Sequence, residues 1–220
     1  MRAFSTQYFP GARSQHCIVF IPRLNVIALS GGFGITNDGQ MGSLGDLWFF
    51  DLFTLRWSLE AGSSNAFANN LDAGTQMPGS RSGHAMIYHA ESDRLYIFGG
   101  LGLSNNKEPQ SLNCMWYYSL SSRTFTFVGR SQTAFSPTPW PSGRFSMACT
   151  YVSSSGEWYL FGGATNASTT LSSLWSYNMG TGLWTSYHEM ENSSPSYGTI
   201  GSASTSTMYA FFLCFPRVTT

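Results

Sequence analysis

Apolar and polar positions along the chain follow a strand-like rhythm. Short runs of apolar, aromatic or β-branched residues alternate with clusters of turn formers. In the middle third, 84–89 (HAMIYH) predicts one strand and 90–93 (AESD) a tight turn. Residues 94–98 (RLYIF) predict a second strand, stopped by Gly99 and Gly100. Residues 115–118 (MWYY) predict a third, turning through Ser121 and Ser122 into a fourth at 124–128. The flanking thirds repeat this order, with 26–29 and 158–161 before a Gly-Gly pair and 47–50 and 174–177 after it. No extended stretch carries the 3.6-residue period of an amphipathic helix, so the expected class is all-β, built from four-stranded antiparallel units.

The rhythm is a true repeat. Pro10-x-x-Arg13-x-x-His16, Pro78-x-x-Arg81-x-x-His84 and Pro141-x-x-Arg144-x-x-Met147 each lead, 18 residues after the arginine, to Gly31-Gly32, Gly99-Gly100 and Gly162-Gly163. A tryptophan follows each pair (Trp48, Trp116, Trp175), and nine residues later a second aromatic (Trp57, Phe125, Trp184). A period of 63 to 68 residues means one supersecondary unit is being tiled. Gly-Gly at a strand end permits a backbone turn and close approach that a side chain would block. The six aromatics are large enough to fill the wedge between neighbouring sheets and are expected in the core.

Composition narrows the function classes. Charged residues are only 10% of the 220, against roughly a quarter in soluble domains, and the net charge is zero. A nucleic-acid surface needs clustered positive charge, so that partner is not expected. Lys107 is the single lysine and ten of the basic residues are arginines, which suit fixed hydrogen-bonding roles. Cys17, Cys114, Cys149 and Cys214 form no CxxC pair, and their apolar counterparts in other repeats favour buried thiols. The N-terminus has no apolar signal region, and the longest apolar run, 208–215, is too short to span a bilayer, so no membrane insertion is expected. The compartment stays open: cytoplasmic for the chain as given, extracellular if it belongs to a longer protein, where the sequons at Asn166 and Asn192 would fit.

The order PxxRxxH, apolar hairpin, FGG, polar loop, (L/M)WxY and downstream Trp resembles the kelch repeat, and its Trp-rich third strand is more similar to the long-loop kelch repeats of attractin and muskelin than to the kelch domains of ubiquitin-ligase adaptors. The resemblance implies β-propeller blades over residues 10 to about 187. The expected division is blade 1 at 10–61, an interblade loop at 62–77, blade 2 at 78–130, blade 3 at 141–190 and an incomplete blade 4 at 195–220. Residues 1–9 are expected as an outer strand of a preceding blade or a closing strand. Pro195-x-x-Gly198 has glycine where arginine is expected, and 208–211 is followed by neither Gly-Gly nor a tryptophan strand. Three blades and a fragment fall short of the four to eight that usually close a propeller. The missing blades are therefore expected from the rest of a longer chain or from another subunit.

Propeller topology puts the loops between second and third strands on one face and the tight hairpin turns on the other. Long polar loops at 33–46, 101–114, 164–173 and 61–77 make the first face the expected binding surface. The leading expectation is a non-catalytic protein-interaction module. In kelch proteins that bind acidic peptides, arginines opening the inner strand pair with carboxylates, a role that falls by matching to Arg13, Arg81 and Arg144. The competing expectation is that these arginines bond backbone carbonyls within the architecture. His89 and His188, near predicted strand ends, are expected to be solvated. Carbohydrate is the alternative ligand, with Phe67, Phe135 and Trp140 as loop aromatics. An enzyme is the least favoured class, and no cofactor is expected. The copper-radical site of galactose oxidase needs histidines this chain does not place, and no Glu begins the ExxxDxxxH spacing of the plant specifier iron site.

Overall fold

Each repeat folds into one antiparallel sheet of four sequential strands. A computed structural model of the chain describes residues 9–36, 39–63, 77–103, 108–130, 139–166 and 168–188. Blade 1 comprises Cys17–Ile21, Val26–Ser30, Gly45–Asp51 and Arg56–Ser63. Blade 2 comprises Ala85–His89, Arg94–Phe98, Met115–Ser119 and Thr124–Gly129. Blade 3 comprises Ala148–Val152, Glu157–Phe161, Leu174–Asn178 and Leu183–His188. Among the described residues the sole helical element is a 3-10 turn at Pro22–Leu24. The segments expected at the two ends, 1–9 and the incomplete fourth blade, lie outside the described residues apart from Phe9, as do Phe67, Phe135 and Cys214.

Turn chemistry recurs with the blades. The first hairpin ends on a left-handed residue in every copy, Asn25, Asp93 and Gly156, and the second on Leu55, Arg123 and Gly182. The third and fourth strands slip register at the same place, between Leu47 and Trp48, Met115 and Trp116, and Leu174 and Trp175. A bulge there adds twist and turns the tryptophan toward the blade interior. Trp48, Trp116, Trp175 and Trp184 are buried, and Trp57 and Phe125 are half-buried.

The core is interblade. Ile21, Ala28, Leu47 and Phe49 of blade 1 pack on Leu95 and Tyr118 of blade 2. On blade 2's other face, Ala85, Ile87, Tyr96, Phe98 and Met115 meet Trp158, Leu160, Trp175, Tyr177 and Trp184 of blade 3. Alternation at period two gives each strand one row for each neighbour. On the tight-turn side, ion pairs bridge blades 1 and 2: Arg23 with Asp93, and Arg123 with Glu60. Glu60 also accepts from the Tyr118 hydroxyl at 2.6 Å; burial and this carboxylate together push the phenol's pKa well up.

Two expectations need correction. The segments at 33–46 and 101–114 are not irregular loops. Phe33–Ile35 and Met41–Ser43 form a hairpin that pairs with Arg13–Ser14, and Leu101–Leu103 and Pro109–Ser111 form another that pairs with Arg81–Ser82. Glycines at the middle of these strands let the backbones approach, since a Cβ on Gly102 would lie 3.0 Å from the Ser80 carbonyl oxygen. In blade 3 the same arrangement shrinks to bridges of Ala164 with Phe145 and Thr170. His89 is not solvated either. It is buried, with Nδ1 2.7 Å from Ser92 Oγ and its ring edge-on to Tyr151 at 5.4 Å, because blade 3 covers that strand end.

Candidate functional site

Strand register fixes which connections share a face. Phe98, the last residue of its strand, pairs with Ala85 and Met115, the first residues of theirs. The entry to each blade and the connection from second to third strand therefore lie at the same end. That end carries the small hairpins, the arginines and the Gly-Gly pairs.

The three arginines occupy equivalent, interior positions. Each donates Nε to the carbonyl two residues earlier (Gly11, Gly79, Ser142) and Nη1 to the carbonyl of its own blade's first Gly-Gly residue (Gly31, Gly99, Gly162) at 2.9–3.2 Å. A third contact differs by blade. Arg13 forms a two-pronged ion pair with Asp46, at 2.6 and 2.9 Å. Arg81 holds the Cys114 sulfur at 3.6 Å from both Nη atoms, and Arg144 donates to Ser173 Oγ at 3.0 Å. The Arg13 and Asp46 side chains are 3% and 0% exposed, and Arg81 and Arg144 are buried as well. The carboxylate that Arg13 binds is thus the chain's own, and the three guanidiniums lie beneath the loop face, fixing the loops to the Gly-Gly corners. Arg13's carboxylate partner is internal, whereas Arg81 meets a sulfur and Arg144 a hydroxyl at the equivalent place.

Of the motif's histidines, His84 lies between blades 1 and 2, whereas His16 is exposed. His84 is fully enclosed; burial, with Arg81 and then His16 beside it, holds its pKa at about 3. Neither ring nitrogen has a hydrogen-bond partner among the described residues. His16 is also shifted down, by partial burial and by Arg13. Cys17, Cys114 and Cys149 are thiols, not disulfides, with Cys114 buried and the other two half-buried. Trp140 is half-buried, donating Nε1 to the Asn113 carbonyl at 2.7 Å and lying 5.9 Å from Trp184, so it wedges between blades 2 and 3.

Part of what the face presents to solvent is apolar. In the blade 1 hairpin, Phe33, Ile35 and Met41 share one side and are exposed, while Gly34 and Gly42 form the side turned to the arginine strand. Sequence reasoning missed these residues because it classed 33–46 as a polar loop. The signal was there: apolar residues at 33, 35 and 41, with Gly34 and Gly42 between and beside them. The cluster makes a ridge of apolar side chains on a backbone held by five strand-pair positions, an arrangement able to anchor a protein surface.

Comparison with known proteins agrees with this architecture. Residues 62–213 match the KLHDC2/KLHL20/DRC7 Kelch-repeats domain. No curated protein matches the chain. Among solved structures, the chain is similar to one described as "Structure of YjhT", with a TM-score of 0.62 and 15% sequence identity. The match covers 84% of this chain and 55% of that one, so this chain spans about half the length of its structural neighbour.

Proposed function

This chain belongs to the Kelch-repeat domain family, and on that premise we propose that it is a non-catalytic protein-interaction module that anchors its partner on the long-loop face. Kelch-repeat propellers support protein interaction in general and are typically non-catalytic. The observation that carries the finer reading is the exposed trio Phe33, Ile35 and Met41 on a glycine-backed hairpin. Arg13, buried beneath it, serves to hold that hairpin rigid through Gly31 and Asp46. A pre-organised apolar ridge loses little conformational freedom on binding, which favours affinity.

Peptides selected from a displayed library on the intact chain test this reading. With Ile35→Ser and Met41→Ser combined, binding should weaken by about tenfold or more, equivalent to roughly 1.4 kcal/mol. Leu183→Ser, an exposed apolar change near the tight-turn end of blade 3, should leave it unchanged. Peptides indifferent to the first pair, or equal sensitivity to the second change, would move the site elsewhere.

A further inference from the structure

Blade 2 lacks the acid that completes the arginine corner of blade 1. Asp46 stands 33 residues after Arg13 and two before Trp48, and its carboxylate accepts from both side chains. Cys114 holds the same place, 33 residues after Arg81 and two before Trp116. The register slip before each tryptophan is the same as well. The Cys114 sulfur lies 3.6 Å from each Arg81 Nη atom. It is as many bonds from its Cα as the Asp46 carboxyl carbon is.

The donors around that sulfur are those that meet an acid in blade 1. Arg81 is 2% exposed and has no carboxylate partner among the described residues. Trp116 is 1% exposed and packs with Cys114 and Leu112 in one buried cluster. Its Nε1 has no hydrogen-bond partner among the described residues, although the equivalent Trp48 Nε1 reaches Asp46 at 2.8 Å. A buried donor without an acceptor is costly, and a buried cation without a counter-charge more so. Blade 3 meets the same need with hydroxyls, since Arg144 donates to Ser173 Oγ at 3.0 Å and Ser142 Oγ at 3.1 Å. A thiol cannot do so as it stands, but oxidation turns it into an acid.

We propose that Cys114 is an oxidation site, converted by hydrogen peroxide to a sulfinate that the corner holds as it holds the Asp46 carboxylate. The sulfur attacks one peroxide oxygen, an S–O bond forms and the O–O bond breaks. The leaving hydroxide takes the thiol proton, giving water and a sulfenic acid. A second peroxide repeats the step on the sulfenic sulfur and yields a second water, and the sulfinic acid gives its proton to solvent. Sulfur is oxidised and both peroxides are reduced. The two sulfinate oxygens then accept from the Arg81 Nη atoms and Trp116 Nε1. Peroxide is little larger than water, and a hollow with room for one water-sized molecule lies between blades 1 and 2 against Arg81 and Phe125. Arg81 touches the Cys114 sulfur, and Phe125 packs on its cluster. Cys17, by contrast, donates to the His84 carbonyl at 2.7 Å, a bond that only the thiol makes. A sulfinate does not return to the thiol without a dedicated repair enzyme, so the change locks the corner one way. This inference depends on the blade 2 corner alone, not on what the long-loop face binds.

Graded hydrogen peroxide on the folded full chain, followed by peptide mass mapping and thermal melting, tests this. Two added oxygen atoms are expected on Cys114 at doses that leave Cys17 a thiol, and the oxidised chain should melt higher than the reduced one. Cys114→Ser, which copies the residue blade 3 has at this place, should show no such rise under the same treatment, and this separates the effect from methionine oxidation. Trp116→Phe keeps the ring packing and removes the donor, so Cys114 should still be oxidised while the rise shrinks. Cys114 left unmodified until the chain unfolds, or oxidised only after Cys17, would overturn the proposal. So would a reaction that halts at the sulfenic acid or ends in a disulfide, a sulfinate chain that melts no higher than the reduced one, or an undiminished rise in Trp116→Phe. Mapping and melting of the unmutated chain decide the matter even if a variant fails to fold.

Discussion

Asp46 accepts from both Arg13 Nη atoms and from Trp48 Nε1 at 2.8 Å, so one carboxylate satisfies the repeat's arginine and its tryptophan together. The equivalent positions hold Cys114 and Ser173, and there Trp116 Nε1 and Trp175 Nε1 have no hydrogen-bond partner among the described residues. Blade 1 carries the complete version of a lock that the later blades carry in reduced form. Removing its acid leaves a buried guanidinium uncompensated, which costs about 3–5 kcal/mol. Asp46→Ala should therefore lower the urea midpoint sharply.

The converse change should stabilise. Cys114→Asp puts a carboxylate where the sulfur already touches both Arg81 Nη atoms, and it offers an acceptor to Trp116. A hydrogen bond to a charged group contributes about 1.5–3 kcal/mol, so a rise in melting temperature is expected. An unchanged or lower value would mean that desolvation of the new acid outweighs its two partners.

His84 gives the fold an acid weakness. Its pKa is held at about 3 in the folded chain, against 6.5 when exposed. Between those values the unfolded chain binds a proton that the folded chain does not, so stability falls as pH falls through that window. The slope approaches about 1.4 kcal/mol per pH unit. Blade 3 has Met147 at this position, so His84→Met should flatten the stability curve between pH 6.5 and 3. A variant whose acid slope matches the parent's would locate the weakness in other groups.

The repeat made much of this legible. Arginine to Gly-Gly at 18 residues is a bonding distance along the chain as well as a spacing, because the arginine donates to the first of the two glycines in every blade. The small hairpins were only half legible: Phe33, Ile35 and Met41 alternate with Gly34 and Gly42, but the Gly-, Ser- and Asn-rich context of 33–46 and 101–114 reads as loop. The aromatic pairing was half legible. Trp57, Phe125 and Trp184 do pack on the third strand, but onto Phe50, Tyr118 and Tyr177, at 5.0, 4.9 and 5.1 Å, two residues beyond the tryptophan. The register running out of the second hairpin turn sets that pairing, and the bulge lies beyond it, on the other side of each tryptophan. The arginines' interior role was open in sequence because carboxylate binding and carbonyl binding need the same residue type.

The Gly-Gly corner should tolerate no side chain. Gly32 has φ +105°, and a Cβ there would lie 2.7 Å from the Ser14 carbonyl oxygen. Gly32→Ala combines a strained conformation, about 1–3 kcal/mol, with displacement of the arginine strand. Gly39 has φ +78° with nothing within 4 Å, so Gly39→Ala isolates the conformational part. Chemical denaturation of both variants should show Gly32→Ala as clearly the worse, and equal losses would remove the steric argument.

Trp140 decides between a structural and a ligand-facing reading of the aromatic loops. A sugar platform needs an open ring face and a side chain whose loss leaves the fold intact. Trp140 instead lies against Gly129, where a Cβ would come within 3.1 Å of its ring, and it donates to Asn113 O across the join of blades 2 and 3. Full burial of a tryptophan makes its truncation cost about 3–5 kcal/mol, and half-burial places Trp140→Ala near or below the lower end of that range. The loss should appear as a lower denaturation midpoint, with the near-ultraviolet circular dichroism of Trp184 altered, because the two rings are 5.9 Å apart. Unchanged stability together with loss of glycan binding on an array would assign Trp140 to a carbohydrate site instead.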